Sequence, residues 1–199
     1  MIRDIVARRE KFHKDRGANL PSIPKNPATP HLYARTPDCK LLDAHDAENF
    51  WTETASLAQA GNRAHPSFAT TIGDLQRHVT RPTTEDESKL ERLIAFAKSV
   101  RDIPLRLRAD LLPRITVSID ASYANRPDMK STTGACITLG VRFSAAWSKI
   151  QKLNSKSSTH DELIAVSDRM NTPLWLADLY IARDTLHCPY AWNRTICHV

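Results

Sequence analysis

Polar and apolar residues alternate along this chain with two periods, and the change from one to the other falls near residue 115. From Asp46 onward, Phe50, Thr54, Leu57 and Ala58 share one face of a helix, with Asp46 placed to cap its start and Gly61 to end it. His65-Pro66 opens a second helix, proline being suited to a first helical position, and Phe68, Ile72, Leu75 and Val79 recur along one stripe. Arg81-Pro82 interrupts the chain. Thr83-Thr84-Glu85-Asp86-Glu87 then offers overlapping capping boxes ahead of Leu90, Leu93, Ile94, Ala97 and Val100. Each helix has one apolar and one charged side. Such lengths are marginal alone in water, so these helices must pack together or on a neighbour.

From Ile115 the period is two. Ile115, Val117, Ile119 and Ala121 point one way, and Ser118, Asp120 and Ser122 the other. Ala135, Ile137, Leu139 and Val141 repeat the alternation after Gly134, and Val141, Phe143, Ala145 and Trp147 repeat it around Gly140. The Gly-marked connections predict three consecutive antiparallel strands, the first joined to the second through Asn125-Arg126-Pro127-Asp128. A helix capped by Ser158 or Thr159 follows, with Leu163, Val166 and Met170 as its buried stripe. Thr172-Pro173 restarts a second helix through Leu174, Trp175, Ala177 and Ile181. Thr195 to Val199 read as a last strand.

The N-terminal residues 1–16 suit a short basic helix. Prolines at 21, 24, 27, 30 and 37 then forbid regular structure through residue 40 and mark a linker. The expected fold is therefore α/β in three parts: a basic segment and proline-rich linker over 1–44, a helical subdomain over 45–103, and a sheet domain over 115–199.

Composition adds little. The chain has 199 residues, 41% of them hydrophobic, enough for a buried core, and its net charge of +6 leans toward a polyanionic partner. Four cysteines stand far apart with no CxxC pair, which argues against a disulfide framework or zinc ribbon. His187-Cys188 and Cys197-His198 hold metal-ligand types but at no common zinc spacing. No apolar run reaches the length of a bilayer span and no signal-peptide core is present, so the expectation is an intracellular protein, cytoplasmic or nuclear, neither secreted nor tied to a membrane.

Candidate chemistry begins with Asp120, because a carboxylate among the apolar residues of a strand needs a partner or a metal. Glu162 sits in the first turn of the next helix. It can be explained by a capping box with Thr159 and by the helix dipole, or by chemistry shared with Asp120. Asp168, further along that helix, reads as a solvated polar-face residue, and Trp147 and Trp175 read as core.

Three stretches carry a resemblance: Asp120-Ala121-Ser122-Tyr123, Pro127-Asp128-Met129-Lys130-Ser131-Thr132-Thr133-Gly134, and the run from Gln151 to Leu163. Together they resemble the ribonuclease H segment of copia-type retrotransposon polyproteins, whose runs read DAS-hydrophobic, PDMKS-TG and QKLNTKSSTEAELV before a helix containing LW, matched here by Leu174-Trp175. Upstream, Arg63-Ala64-His65-Pro66 and Arg81-Pro82-Thr83-Thr84-Glu85-Asp86 are similar to the thumb and connection part of the same family's reverse transcriptase. The likeness spans residues 45–185.

The resemblance implies a partial ribonuclease H-like domain over 115–199, with Mg²⁺-assisted hydrolysis of the RNA strand of RNA–DNA hybrids. Asp120 matches the first of the family's four carboxylates and Glu162 the second, so both are expected as catalytic residues and metal ligands. The third acid is expected after the helices, yet residues 186–199 contain no Asp or Glu, and no YxDD-like pair for DNA polymerisation occurs. The fourth has no counterpart either. Lys130, Lys149, Lys152 and Lys156 are expected to meet phosphates, and Ser131 and Thr132 to donate to phosphate or 2′-hydroxyl oxygens; solvated loops and turns are the plainer explanation. The chain departs from the family where His160-Asp161 replaces Glu-Ala and where His65 stands in place of Arg. The implied partners are nucleic acid and the remainder of a Pol polyprotein. Two other readings compete: a non-catalytic basic nucleic-acid-binding remnant, and an unrelated interaction protein built on three strands and a helix.

Overall fold

A computed structural model describes residues 1–105, 114–140, 142–187 and 196–198. The chain divides into two compact units, Met1–Leu105 and Arg106–Val199.

The first unit is helical: α1 (Ile2–Asp15), α2 (Ala44–Arg63), a short 3-10 turn (Pro66–Phe68) leading into α3 (Ala69–Leu75), and α4 (Thr84–Val100). The stripes meet as their spacing requires. Phe50, Leu57, Phe68, Leu75, Leu90, Leu93 and Ile94 are all sealed from solvent in one core, together with Ile5 and Val6 of α1. Thr83 caps α4 in a full capping box: its Oγ1 accepts from Asp86 N at 3.3 Å, and its own amide donates to Asp86 Oδ2 at 3.0 Å.

Several boundaries differ from expectation. Asp43, not Asp46, caps α2 by accepting from the Asp46 amide at 2.8 Å, and Asp46 is left to pair with Arg16 at 2.6 Å. Gly61 does not end α2. It lies inside the helix where a Cβ would come 3.3 Å from both Ile72 Cδ1 and Phe68 Cβ, so its role is close approach rather than a left-handed cap. The helix expected to run to Val79 ends at Leu75, where the chain tightens into turns with Arg77 N bonded to Asp74 O and His78 N to Leu75 O, although Val79 still packs against the core.

Segment 1–44, expected as a separate lead and linker, belongs to the same compact unit. Its prolines do exclude helix and strand from residue 18 to 40, but the stretch is packed rather than free. Leu32 is buried, Arg35 binds Asp74 at 2.9 Å and also Asp86, and Lys89 donates to Ala34 O at 3.0 Å. Leu41 bridges to Thr83.

The second unit mixes sheet and helix. Strands β1 (Ile115–Ser122), β2 (Thr132–Leu139) and β3 (Arg142–Ile150) run antiparallel in sequence, and β4 (Ile196–His198) lies parallel to β1, giving the order β3-β2-β1-β4. Thr195, Val199 and Val141 lie outside the described residues. The alternation of β1 is expressed directly: Ile115, Val117 and Ile119 are buried while Ser118 and Asp120 are exposed. Helices α5 (Ser158–Arg169) and α6 (Asn171–His187) supply Ala165, Val166, Leu176 and Ala177, and Met170 between them joins these, in the core formed by the apolar face of β1 and β2.

Val166, Met170 and Ala177 pack on the core as expected, but Leu163, Leu174 and Trp175 do not. Asp161, Ile164 and Ala165 face inward on α5, and Pro173, Leu176 and Ala177 are the more enclosed positions of α6. Leu163, Leu174 and Trp175 are exposed, at 66%, 53% and 61%, because each sits 100° or more around its helix from the inward line. Trp147 does pack against the core, as expected. Among the described residues no helix is long and apolar enough to cross a membrane.

Candidate functional site

One end of the second unit gathers the chemistry. There β1 ends, β2 begins, β3 ends and α5 begins, so Asp120, Lys149 and Glu162 lie on elements that meet at that end, and Lys130, Lys152 and Lys156 in the connections beside them.

Asp120 stands on the outward face of β1, opposite Gly134 of β2. Glu162 comes to the same strand from α5. Ser157 caps that helix by accepting from the His160 amide at 3.2 Å, so the start lies one residue earlier than expected and the Thr159 to Glu162 capping box does not form. Freed from capping, Glu162 turns its Oε1 to the backbone of β1 and accepts from Ala121 N at 3.3 Å. Its second oxygen, Oε2, is buried without a hydrogen-bond partner.

A buried carboxylate oxygen with no donor calls for one, or for a cation. The hard oxygens at this end are the solvent-open carboxylate of Asp120 and the unclaimed Oε2 of Glu162; Asp120 lies on the exposed face of β1 and α5 packs on the buried face, so the direct link is between Glu162 and the Ala121 backbone. Among the described residues no group of three or more His, Cys, Asp and Glu side chains forms a metal site. The C-terminal His and Cys pairs fall outside the described side chains.

Behind Glu162 lies a polar network that the sequence pattern did not signal. Asp161 is fully buried and accepts from Ser131 Oγ at 2.5 Å, while Ser131 accepts from Ala124 N at 3.0 Å. Gln151, also buried, donates from Nε2 to Asp161 O at 2.9 Å and to Thr133 Oγ1 at 3.1 Å, and its amide donates to Ser131 O at 2.9 Å. These bonds tie the first turns of α5 to β2 and to the β1–β2 connection, which fixes where Glu162 points. The helical phase of Ile164 and Ala165, three and four residues on, was the available signal that Asp161 faces inward.

The expected binding residues separate into two groups. Lys149, Lys152 and Lys156 are exposed, and Lys130 is 3.9 Å from Asp128 with 40% of its side chain exposed. The Ser131–Gln151 bond extends the β2–β3 ladder, so Lys130 and Lys152 follow one step beyond it on their two strands. Ser131 and Thr132 are instead buried, at 2% and 7%. The Thr132 hydroxyl donates to Asn125 Oδ1 at 3.0 Å and accepts from Arg126 Nε, and Ser131 is engaged with Asp161, so neither hydroxyl is presented to a ligand. Asp168 is exposed on α5, as a polar-face residue should be. Compared with known proteins, the chain matches no family model, no curated protein and no solved structure.

Proposed function

We propose that the second unit is a ribonuclease H-like module of copia-type retrotransposon descent, which binds RNA–DNA hybrids and, with two acids rather than four, cleaves them weakly or not at all as this chain. The observation that carries this reading is the bond from the Ala121 amide to Glu162. It fixes the acid of α5 against the residue that follows Asp120, and leaves a buried carboxylate oxygen unclaimed. The motif resemblance supplies the reaction class, and the sheet order with a parallel strand beside β1 agrees with it.

In this reading Asp120 and Glu162 would hold Mg²⁺, which would supply activation of water and stabilisation of the leaving oxygen in phosphodiester hydrolysis. Glu162 is oriented by the Ala121 amide on one side and by the Gln151–Asp161–Ser131 network behind it. Lys130, Lys149, Lys152 and Lys156 contribute positive charge toward the phosphate backbone. The helical unit, in the same reading, derives from the thumb and connection part of a reverse transcriptase.

A second reading, a basic nucleic-acid-binding module without catalysis, is favoured by the absence of a third metal-ligating side chain among the described residues. One experiment separates the two. The chain and Asp120→Asn are incubated with a labelled RNA–DNA hybrid in Mg²⁺. Cleavage lost in the variant supports the nuclease, salt-sensitive binding without cleavage supports the module, and no hybrid binding at low salt rejects both.

A further inference from the structure

In the helical unit, α1, α2 and α4 converge on one guanidinium. Arg9 of α1 is fully buried, and its terminal nitrogens reach Glu53 on α2 at 3.1 Å, Glu91 on α4 at 3.3 Å, and Glu87 on α4. One turn along α1, His13 Nε2 lies 3.1 Å from the same Glu91 oxygen. Arg8 and Arg16 of α1 and Asp46 of α2 act on the cluster from further away, and Arg16 is itself paired with Asp46 at 2.6 Å.

Charge does not balance at this junction. With all three carboxylates ionised, one guanidinium faces three negative charges where little water is present to screen them. A proton on one carboxylate reduces the excess. Glu53 is the most enclosed of the three acids, with 9% of its side chain exposed against 17% for Glu87 and 25% for Glu91. A proton therefore relieves the most strain there.

We propose that the helical unit is a proton-dependent switch, in which α1 is held firmly against α2 and α4 while Glu53 is protonated and is loosened when that proton leaves. Burial pushes the Glu53 carboxyl up to about 7 against the opposing pull of Arg9, and raises Glu87 for the same reason. The unfolded chain gives up this proton in the ordinary carboxylate range, whereas the folded unit keeps it to about 7. The stabilisation is thus complete in acid and is lost as pH rises through neutrality. The other ion pairs of α1 are exposed, Arg3 to Asp102 at 2.6 Å and Glu10 to Lys98 at 2.7 Å, and contribute little, so besides the Arg9 cluster α1 is held by Ile2, Ile5 and Val6 in the shared core. The switch does not depend on the nuclease reading.

Amide exchange of the full chain at pH 6 and pH 8, corrected for the intrinsic effect of pH, tests it. Protection of the amides from Ile5 to Arg9 is expected to fall about tenfold between the two conditions, while amides of β1 and β2 hold level. Glu53→Gln is expected to abolish the fall. A change smaller than about threefold in the wild type, or an equal fall in the variant, overturns the proposal. If Glu53→Gln does not fold, the carboxyl carbon of Glu53 is titrated by NMR in the wild-type chain. A midpoint above about 6 upholds the switch and one below it refutes it.

Discussion

The carboxylate of Glu162 accepts the backbone amide of Ala121 at 3.3 Å, joining two residues 41 positions apart and bringing the acid of α5 to the strand that carries Asp120. That bond forms because Ser157 caps the helix, which leaves Glu162 free to reach the sheet. It is the contact on which the candidate site depends, and it divides the effects of substitution at Glu162 into two kinds.

Glu162→Gln keeps an oxygen for the Ala121 amide but removes the charge. Mg²⁺ affinity, followed by the shift of the Ala121 amide resonance, is expected to fall at least about tenfold. The unfolding free energy from urea titration is expected to stay within about 0.5 kcal/mol of the wild type. Unchanged Mg²⁺ affinity would remove Glu162 from the metal site.

In the proposed hybrid-binding reading, the lysines act through charge and not through particular bases. Replacing Lys130, Lys149, Lys152 and Lys156 together by Ala should weaken hybrid binding and flatten the plot of log K against log salt by roughly 3 to 4 in slope. Filter binding across a salt series measures this. A slope unaltered by the four substitutions would place the nucleic-acid contact elsewhere.

Gln151→Met tests the network behind Glu162. The methionine fills similar space but deprives Asp161 O and Thr133 Oγ1 of their amide donor, in a place shielded from water. A loss of about 1–3 kcal/mol in the unfolding of the second unit is expected. A neutral result would mean that solvent reaches these groups.

Arg35 is the clamp on the proline-rich segment of the helical unit. It is 28% exposed at its side chain, but the Asp74 and Asp86 carboxylates that it binds are each only 2% exposed. Arg35→Met therefore removes the cation that these two buried carboxylates share, and is expected to cost about 1–3 kcal/mol. Limited proteolysis between residues 17 and 43 should accelerate in step; cleavage at the wild-type rate would show that the other anchors suffice.

Much of this was legible beforehand where local rules act alone. The strands announced themselves because a sheet with one covered face demands alternation, and Ile115, Val117 and Ile119 obey it against Ser118 and Asp120. Thr83 announced α4 because a capping box needs only three residues of spacing. Other features were hidden. The cap of α5 at Ser157 sat among adjacent hydroxyl residues that could each have served, and that choice decided whether Glu162 was occupied with capping or free. Leu163 and Trp175 looked like core residues, since apolar character does not specify which side of a helix meets a sheet.

The order of residues by itself determined the type and sequence of the elements and put one acid on a strand and another at the next helix, because period, caps and prolines act over a few positions. Only the tertiary structure decided that Glu162 reaches β1, that Ser131 and Asp161 are buried as partners, and that Arg9 becomes the buried centre of three acids. Those outcomes depend on groups 30 to 82 residues apart finding each other when water is excluded, and no local pattern records which pairs will meet.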